Sequence, residues 1–432
     1  MRLLGVGVLF LTGMTLANVC SHRPLTFERT YGGNRADCGF SVAPTSDRGC
    51  IVVGSSASFG AGLTDVYLIK LDANGDTLWS RTFGGADYDI GYAVEQTADG
   101  GYIIAGDTRS FGAGGYDAWL IRTDARGDTL WTRTFGGPGD DGARSVVQTE
   151  DGGYLLAGCT ESVGAGQGDV FLVRTDADGR ELWSRTYGGT GLDQAFSVQQ
   201  TADKGFVVAG LTQSFGAGED DVYLIKTNTR GDTLWTRTFG GDDDDFGYSV
   251  RQTADGGYIV AGLTESFGAG GEDVYLIRTD ARGDTLLCRE NRGQSLGAPA
   301  SDVPRAPQGR AARYSPRFPG TLWTRTFGGP NSDEAHAVEV TADGGFVVAG
   351  STYSFGAGSF DGYLLRAGPR GDLLWTKTLG GPGDDGAWSV AKAVGGGFLV
   401  AGYRSSAAGD RDVFLVKADS AGNVLADTTK VH

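Results

Sequence analysis

The sequence predicts an all-β fold, and two regularities carry this prediction. Tryptophans recur at a spacing of 52 residues, at Trp79, Trp131, Trp183 and Trp235, and again from Trp323 to Trp375. Around each of these anchors four strand-like runs return, separated by glycine-rich turns, and Phe27 begins the series one period before Trp79. Periods of this size indicate propellers or solenoids. Seven copies of four strands predict a seven-bladed β-propeller with about 52 residues per repeat.

Each copy divides into four runs, called a, b, c and d in chain order. In the copy from 235 to 286 we expect them at Tyr248 to Thr253, Tyr258 to Thr264, Asp273 to Thr279, and from Thr285 onward. Runs b and c are apolar on both alternating faces, as expected of strands covered on both sides. Run d alternates, with Trp235, Arg237 and Phe239 on one face. This pattern indicates an outer strand with one wetter side.

The two ends of the repeat region predict how the ring closes. Phe27, Arg29 and Tyr31 keep the pattern of run d, whereas the equivalent C-terminal positions are Ala426, Thr428 and Lys430. The N-terminal strand should therefore supply the outer strand of blade seven. A solenoid is the alternative, but it would need polar caps, which the sequence does not show.

The N-terminal region predicts export. Residues 1–17 are predicted to be a signal peptide, because an apolar run from Leu3 to Leu11 is followed by small residues at Thr15 and Ala17. A membrane anchor is the alternative, although a span needs roughly 20 apolar residues. Residues 18–23 are a short linker, in which Cys20 could be lipidated. Residues 24–432 form one propeller domain. We expect a secreted, periplasmic or cell-surface monomer without a transmembrane segment.

One segment interrupts the repeat. Residues 287–321 are rich in proline, arginine, alanine and glycine, and they fall in the c–d turn of blade five. This composition predicts a disordered insertion. The segment is locally basic, so a partner-binding arm is one alternative, and a reading-frame artefact in a GC-rich gene is another.

Composition narrows the classes of function. The formal net charge is −16, so the chain offers nucleic-acid phosphates no general attraction, and we expect no nucleic-acid partner. The cysteines outside the signal region lack CxxC spacing, which argues against a thiolate metal site, and we expect no disulfide framework. The three histidines, at positions 22, 336 and 432, are far apart in sequence, and no Ser-His-Asp arrangement is supported.

Four phrases of the repeat resemble those of secreted bacterial and archaeal β-propeller proteins. They are WSRTFGG, TADGGYIIAG, SFGAG and DVYLIKT, at Trp79 to Gly85, Thr97 to Gly106, Ser214 to Gly218 and Asp221 to Thr227. The turn LDANGDTLW at 71–79 is also similar to the tryptophan-docking turn of quinoprotein propellers and, more loosely, to the Asp-box of sialidases. These resemblances imply the fold and not a chemistry, since most of the first family has no assigned activity.

Two series of aspartates recur once per copy. One opens run c, and the other lies between runs d and a, so both should rim one face of the ring. Aspartates often accept backbone N–H bonds in turns. Calcium is the alternative, because carboxylates and loop carbonyls suit a hard cation. No other cofactor is expected. The candidate calcium ligands are Asp37, Asp89, Asp141, Asp193, Asp245, Asp333 and Asp385.

One position near the start of run a varies between copies while its surroundings do not. We expect its side chains to lie on the innermost strand, where an aromatic collar could stack on sugar rings or hold a peptide. Packing between blades is the alternative. The candidate ligand-binding residues are Phe40, Tyr92, Arg144, Phe196, Tyr248, His336 and Trp388.

Three functions follow from these patterns. The first is a secreted, non-catalytic scaffold that binds a protein or glycan on its loop-rich face. The second is a polysaccharide hydrolase or lyase, whose carboxylates would be unique to one or two blades. The third is a calcium-dependent structural protein of the envelope. Candidate carboxylates for the second are Asp140, Asp242, Asp243, Asp244, Glu334 and Asp384.

Overall fold

A computed structural model describes residues 26–285, 322–405 and 409–424. These residues form 28 strands in seven antiparallel sheets of four strands each. Each innermost strand contacts the innermost strands of both neighbouring sheets, which closes the sheets into a ring. The predicted all-β class and seven-bladed propeller are confirmed. The signal peptide at 1–17, the linker at 18–23 and the insertion at 287–321 lie outside the described residues.

The strands keep the order a, b, c, d from the axis outward. Strands a are β2 (Asp37–Pro44), β6 (Asp89–Gln96), β10 (Asp141–Gln148), β14 (Asp193–Gln200), β18 (Asp245–Gln252), β22 (Asp333–Val340) and β26 (Asp385–Lys392). Strands b are β3 (Cys50–Ser56), β7 (Tyr102–Thr108), β11 (Tyr154–Thr160), β15 (Phe206–Thr212), β19 (Tyr258–Thr264), β23 (Phe346–Thr352) and β27 (Phe398–Ser405). Strands c are β4 (Asp65–Leu71), β8 (Asp117–Thr123), β12 (Asp169–Thr175), β16 (Asp221–Thr227), β20 (Asp273–Thr279), β24 (Asp361–Ala367) and β28 (Arg411–Ala418). Strands d are β5 (Thr77–Phe83), β9 (Thr129–Phe135), β13 (Glu181–Tyr187), β17 (Thr233–Phe239), β21 (Trp323–Phe327), β25 (Leu373–Leu379) and β1 (Phe27–Tyr31).

The core lies between the blades. Strands b and c are buried along nearly their whole length, as their apolar pattern predicts. The buried side chains form seven clusters, one at each boundary between neighbouring blades, and the cluster of blades two and three includes Ile103, Leu120 and Leu156. Because every sheet is covered on both faces, the blades stabilise one another by apolar burial.

The aromatic anchor of each strand d packs on the c–d turn of the next blade. Trp79, for example, lies so close to Gly127 that a Cβ added at that glycine would stand 2.7 Å from the indole Cζ3. Gly127 has a φ of +80°, which favours glycine independently of the contact. The Arg81 guanidinium lies over the same indole, with Cζ 5.5 Å from the ring centroid. Each anchor therefore needs a neighbouring turn without a side chain.

The N-terminal strand closes the ring, as predicted. Strand β1 pairs antiparallel with β28 and completes blade seven as its outer strand. Phe27 takes the place of the tryptophan anchor, is 4% exposed, and packs on Gly75 in the c–d turn of blade one. Blade seven therefore combines the two ends of the propeller sequence.

Candidate ligand-binding face

Strand a presents two different faces to its surroundings. Its first, third and sixth residues are buried in all seven blades, whereas most of the remaining positions are partly exposed. Since strand a is innermost, the partly exposed side chains line the central channel. The channel wall is therefore made mainly of the second, fourth, fifth and seventh residues of each strand a.

The candidate collar residues are the fourth residues of these strands, and each one is a β-bulge. The pairing of strands a and b skips that residue in every blade, as between Gly39 and Ser41 on either side of Phe40. The sequence predicted strand a to begin at about this position, as at Tyr248. It begins three residues earlier, at Asp245, because the bulge extends the strand without breaking it. A bulge leaves one residue unpaired and re-aims its side chain.

The structure brings the predicted collar together. Ring centroids of successive members lie 5.3 Å apart for Phe40 and Tyr92, and 4.9 Å apart for Phe196 and Tyr248. His336 stacks on Trp388 at 4.1 Å. Six of the seven collar side chains are partly exposed, and His336 is buried. The collar is thus a nearly continuous aromatic lining of the channel, three residues below the loop-rich face.

One side of the collar contains its own cation. The Arg144 guanidinium lies 3.9 Å from the ring centroid of Tyr92 and forms an ion pair with the buried Asp107. The backbone N–H of Ala143 also donates to Asp107, at 2.9 Å. Burial raises the pKa of Asp107, although Arg144 opposes the rise. This arrangement, called the Arg144 sector, places a carboxylate, a cation and an aromatic ring in contact.

The opposite side of the collar is acidic. We call Asp220, Tyr248, Glu272, Glu334 and His336 the acidic sector. His336 Nε2 lies 3.2 Å from a carboxylate oxygen of Glu334. Burial and the adjacent Glu334 carboxylate raise the pKa of Glu272. Burial acts to raise the pKa of Glu334 as well, but the hydrogen bond and charge of His336 outweigh it and lower that pKa.

Three polar atoms in or beside the acidic sector have no partner. Asp220 Oδ1, His336 Nδ1 and Trp388 Nε1 are buried, and none of them forms a hydrogen bond with any described residue. His336 is 8% exposed. Buried polar atoms without partners are rare in folded proteins, because losing water without a replacement bond costs about 1–3 kcal/mol.

The predicted rim aspartates are buried acceptors within their own loops. Asp89 is 0% exposed and accepts hydrogen bonds from the Gly85 N–H at 2.8 Å and the Ser110 hydroxyl at 2.6 Å. In the second series, Asp117 accepts from the Ala113 N–H at 3.0 Å. These bonds support the structural interpretation. Calcium stays a prediction, and no group of three or more metal-ligating residues is found within the described parts of the chain.

Of the second residues of strand a, which also line the channel, only Glu334 was predicted from the sequence as a candidate site residue. These side chains differ in every blade but two, and Phe246 stacks on the collar residue Tyr248 with centroids 5.8 Å apart. The signal was present in the repeat, since this position varies as much as the collar position. These residues are Cys38, Ile90, Gly142, Gln194, Phe246, Glu334 and Gly386.

The other candidate carboxylates lie in the loops between blades, where Asp244 contacts the acidic sector by accepting the N–H of Asp220 at 3.2 Å. Asp140, Asp242 and Asp243 are exposed in the loops between blades, and Asp140 accepts the Tyr116 N–H at 2.8 Å. Asp244 and Asp384 are partly buried in equivalent loops. Of the six carboxylates proposed for polysaccharide cleavage, only Glu334 forms an ion pair with a collar residue, and that residue is His336.

Fold and site together define a seven-bladed β-propeller with a varied axial face. No family model matches the chain. The regulatory protein FlaEY of Caulobacter vibrioides is 28% identical over 173 residues, which cover 37% of this chain and 16% of that protein. The match therefore spans a small part of the relative's length.

Solved structures of similar shape share little sequence with this chain. The WD40 domain of Neurospora crassa Pan2 is 9% identical, with a TM-score of 0.47, over 91% of this chain and 96% of that one. A puromycin hydrolase is 18% identical, with a TM-score of 0.48, over 93% of this chain and 55% of that one. The described residues contain no helix that is long and apolar enough to cross a membrane.

Proposed function

We propose that this chain is a secreted, non-catalytic propeller that binds a protein or glycan ligand on its loop-rich face, above the collar. The observation that supports it most is where the blades differ. The buried positions of strand a are nearly constant, Asp at the first, Gly or Ala at the third and Val at the sixth, whereas the second and fourth positions change from blade to blade. A constant frame with a varied, partly exposed centre suits recognition.

The chemistry of the collar supports binding. Aromatic side chains offer large apolar faces at low entropic cost, and sugars and peptides both stack on them. The collar adds an arginine, a histidine and an indole N–H, which supply direction to such contacts. Export of the chain is proposed from the N-terminal sequence alone.

The hydrolase alternative is less favoured. Glycosidases that use two carboxyl groups hold them about 5 Å apart or more, so that sugar or water fits between them. In the acidic sector, Glu272 and Glu334 are adjacent, and burial together with the Glu334 carboxylate raises the pKa of Glu272. That spacing suits a shared proton or a bound cation better than cleavage of a glycosidic bond.

The test is a binding screen of residues 24–432 against glycan and peptide arrays, repeated with Phe40→Ala and Phe196→Ala. Ligands of the collar should lose at least tenfold in affinity in these variants. Phe111→Ala is the control, because Phe111 is 47% exposed on the same face but away from the axis. If no ligand is found, or if every ligand is equally sensitive to the control, the proposal is wrong.

A further inference from the structure

The next-to-last residue of strand c is a buried cation in all seven blades, and none of these residues is more than 7% exposed. In blade one, Lys70 Nζ lies 2.8 Å from a carboxylate oxygen of Asp47 in the a–b turn. Blades two to six repeat this ion pair with nitrogen–oxygen distances of 2.5–3.0 Å. The pairs of these five blades are Arg122 with Asp99, Arg174 with Asp151, Lys226 with Asp203, Arg278 with Asp255 and Arg366 with Asp343.

Blade seven keeps the cation, Lys417, but its a–b turn lacks the carboxylate. The turns at 393–397 and 97–101 are closed by the same bond, from the first N–H to the last carbonyl, at 3.0 Å and 2.9 Å. Their equivalence places Gly395 where blade two has Asp99. The buried lysine of blade seven is therefore without the partner that the other six blades supply.

Lys417 has one neutral acceptor among the described residues. Its Nζ donates to the carbonyl of Ala73, in the c–d turn of blade one, at 3.2 Å. Asp72, in the same turn, accepts the N–H groups of Asn74 and Asp76. An ammonium has three N–H donors, so two of those on Lys417 lack a described partner. A buried charge without a counter-ion is destabilising, which makes this position receptive to an anion.

The place of the missing carboxylate is open to solvent. A Cβ added at Gly395 or at Gly396 would meet nothing within 4 Å, and both glycines are exposed. In the other six blades the aspartate side chains at this position are 52–70% exposed. A ligand can therefore reach from solvent the position where those carboxylates stand.

We infer that blade seven binds a carboxylate group of a ligand, with Lys417 Nζ as the donor, between its own a–b turn and the c–d turn of blade one. The six ion pairs of the other blades define the chemistry, since each one places a carboxylate against the equivalent cation. Charge-assisted hydrogen bonds of this kind are among the stronger ones in proteins. The site lies on the face opposite the loop-rich face and is independent of the proposed function.

Thermal unfolding of residues 24–432 tests the site, with chloride replaced by acetate at constant ionic strength. Acetate should raise the midpoint of the wild type by about 1–3 °C, because it binds the folded state. Lys417→Met should lose this shift. Lys226→Met is the matched control and should keep it, since Lys226 holds the same strand position in blade four and already has Asp203 as its partner.

A second variant supplies the carboxylate within the chain. Ala393→Thr, Val394→Ala and Gly395→Asp together give the Thr-Ala-Asp-Gly-Gly turn of blade two. The whole turn is exchanged because Gly395 has a φ of +95°, at which an aspartate alone would be strained. In chloride this variant should unfold at a higher temperature than the wild type, and acetate should add nothing.

A small acid and an acidic side chain of a peptide both present a carboxylate. Calorimetry with a capped hexapeptide that contains one glutamate, measured against its glutamine form, distinguishes these sources. A preference of at least tenfold for glutamate identifies a peptide, whereas a response to acetate without this preference identifies a small acid.

Two results would overturn the inference. One is a wild type whose midpoint acetate does not raise, and the other is an equal acetate shift in the wild type and in Lys417→Met. Neither result bears on the collar, because Phe40 and Phe196 are unchanged in all of these variants. A ligand that depends on those two residues would leave the proposed function intact.

Discussion

In each blade, one buried aspartate at the start of strand a accepts hydrogen bonds from the loop beside it. Asp245 is 0% exposed, and it accepts hydrogen bonds from the Gly241 N–H at 2.8 Å and the Ser266 hydroxyl at 2.7 Å. Burial raises its pKa to about 6, and the carboxylate of Asp221 contributes to the rise. The four aspartates at 242–245 are therefore one buried structural residue with acidic neighbours in the loop.

The raised pKa of Asp245 predicts a pH dependence. The folded state binds this proton more tightly than the unfolded state, whose pKa is 3.8. The stabilisation is therefore complete below pH 3.8 and is lost as the pH rises through about 6. Relative to Asp245→Asn, the wild type should gain roughly 2–3 kcal/mol of unfolding free energy between pH 8 and pH 4. Urea unfolding at several pH values measures this.

Asp47 provides the comparison for that experiment. Burial alone would raise its pKa, but hydrogen bonds from Lys70, Thr45 and Gly49 hold it at about 2. The stabilisation from Asp47 is present above pH 3.8 and is lost as the pH falls through about 2, so Asp47→Asn should differ from wild type by a constant amount from pH 8 to pH 4. Parallel curves for Asp245→Asn and Asp47→Asn would contradict the assignment.

The repeat predicted the collar residues of the site but not the carboxylates that lie beside them. The collar could be predicted, because Phe40, Tyr92 and their equivalents vary at one fixed offset from a constant aspartate. Glu272 could not be predicted as their neighbour, since it lies 62 residues before Glu334 in sequence. It reaches Glu334 through a contact between blades, which no periodicity within one blade encodes.

In blade five, strands b and c match their predicted bounds, whereas strand a begins three residues early and strand d begins at Trp323 and not at Thr285. Strands β19 and β20 begin and end where the apolar runs do, because burial on both faces marks each residue. The start of β18 was predicted three residues late, since a bulge reverses the alternation at Tyr248 and hides the first half of the strand. A bulge is thus the physical reason that a period-two pattern failed there.

Two glycines of blade two should differ in how much an alanine substitution destabilises the protein. Gly127 lies in the c–d turn and Gly100 in the a–b turn. Gly127 and Gly100 have φ values of +80° and +86°, so alanine at either position should cost about 1 kcal/mol through the left-handed backbone. A Cβ at Gly127 would also meet Trp79 at 2.7 Å, whereas nothing lies within 4 Å at Gly100. Gly127→Ala should therefore lower the unfolding free energy by roughly 1–3 kcal/mol more than Gly100→Ala does.

Chemical denaturation of both single variants measures this difference. Similar losses would mean that Trp79 can move away from the turn at little cost. The outer anchors would then contribute less to the contact between blades than their packing suggests.

The ring as a whole depends on one strand that is distant in sequence. Seven apolar clusters link each blade to the next, and the cluster of blades seven and one includes Phe27 from β1. Without β1, the outer edge of β28 would lose its pairing and the boundary would lose an aromatic anchor. The new outer edge of blade seven would be β28, which is buried over most of its length, and apolar strand edges recruit other chains when exposed.

A shortened chain tests the role of closure. A protein that starts at Gly32 should unfold at a lower denaturant concentration than one that starts at Thr26. The loss of Phe27 alone should lower its unfolding free energy by roughly 3–5 kcal/mol. It should also self-associate through β28, which sedimentation velocity detects. A monomeric chain of unchanged stability would show that β1 is dispensable.

The pairing of β1 with β28 also sets the order of events when the chain folds. Phe27 pairs with Lys417, a separation of 417 − 27 = 390 residues, whereas the other strand pairs join neighbours in sequence. Hairpins of blades one to six can form while the chain is being made, but β1 has to wait unpaired until the last residues exist. Ring closure is therefore the slowest contact to find. A circular permutant with β1 placed after β28 would make every blade local and should fold faster.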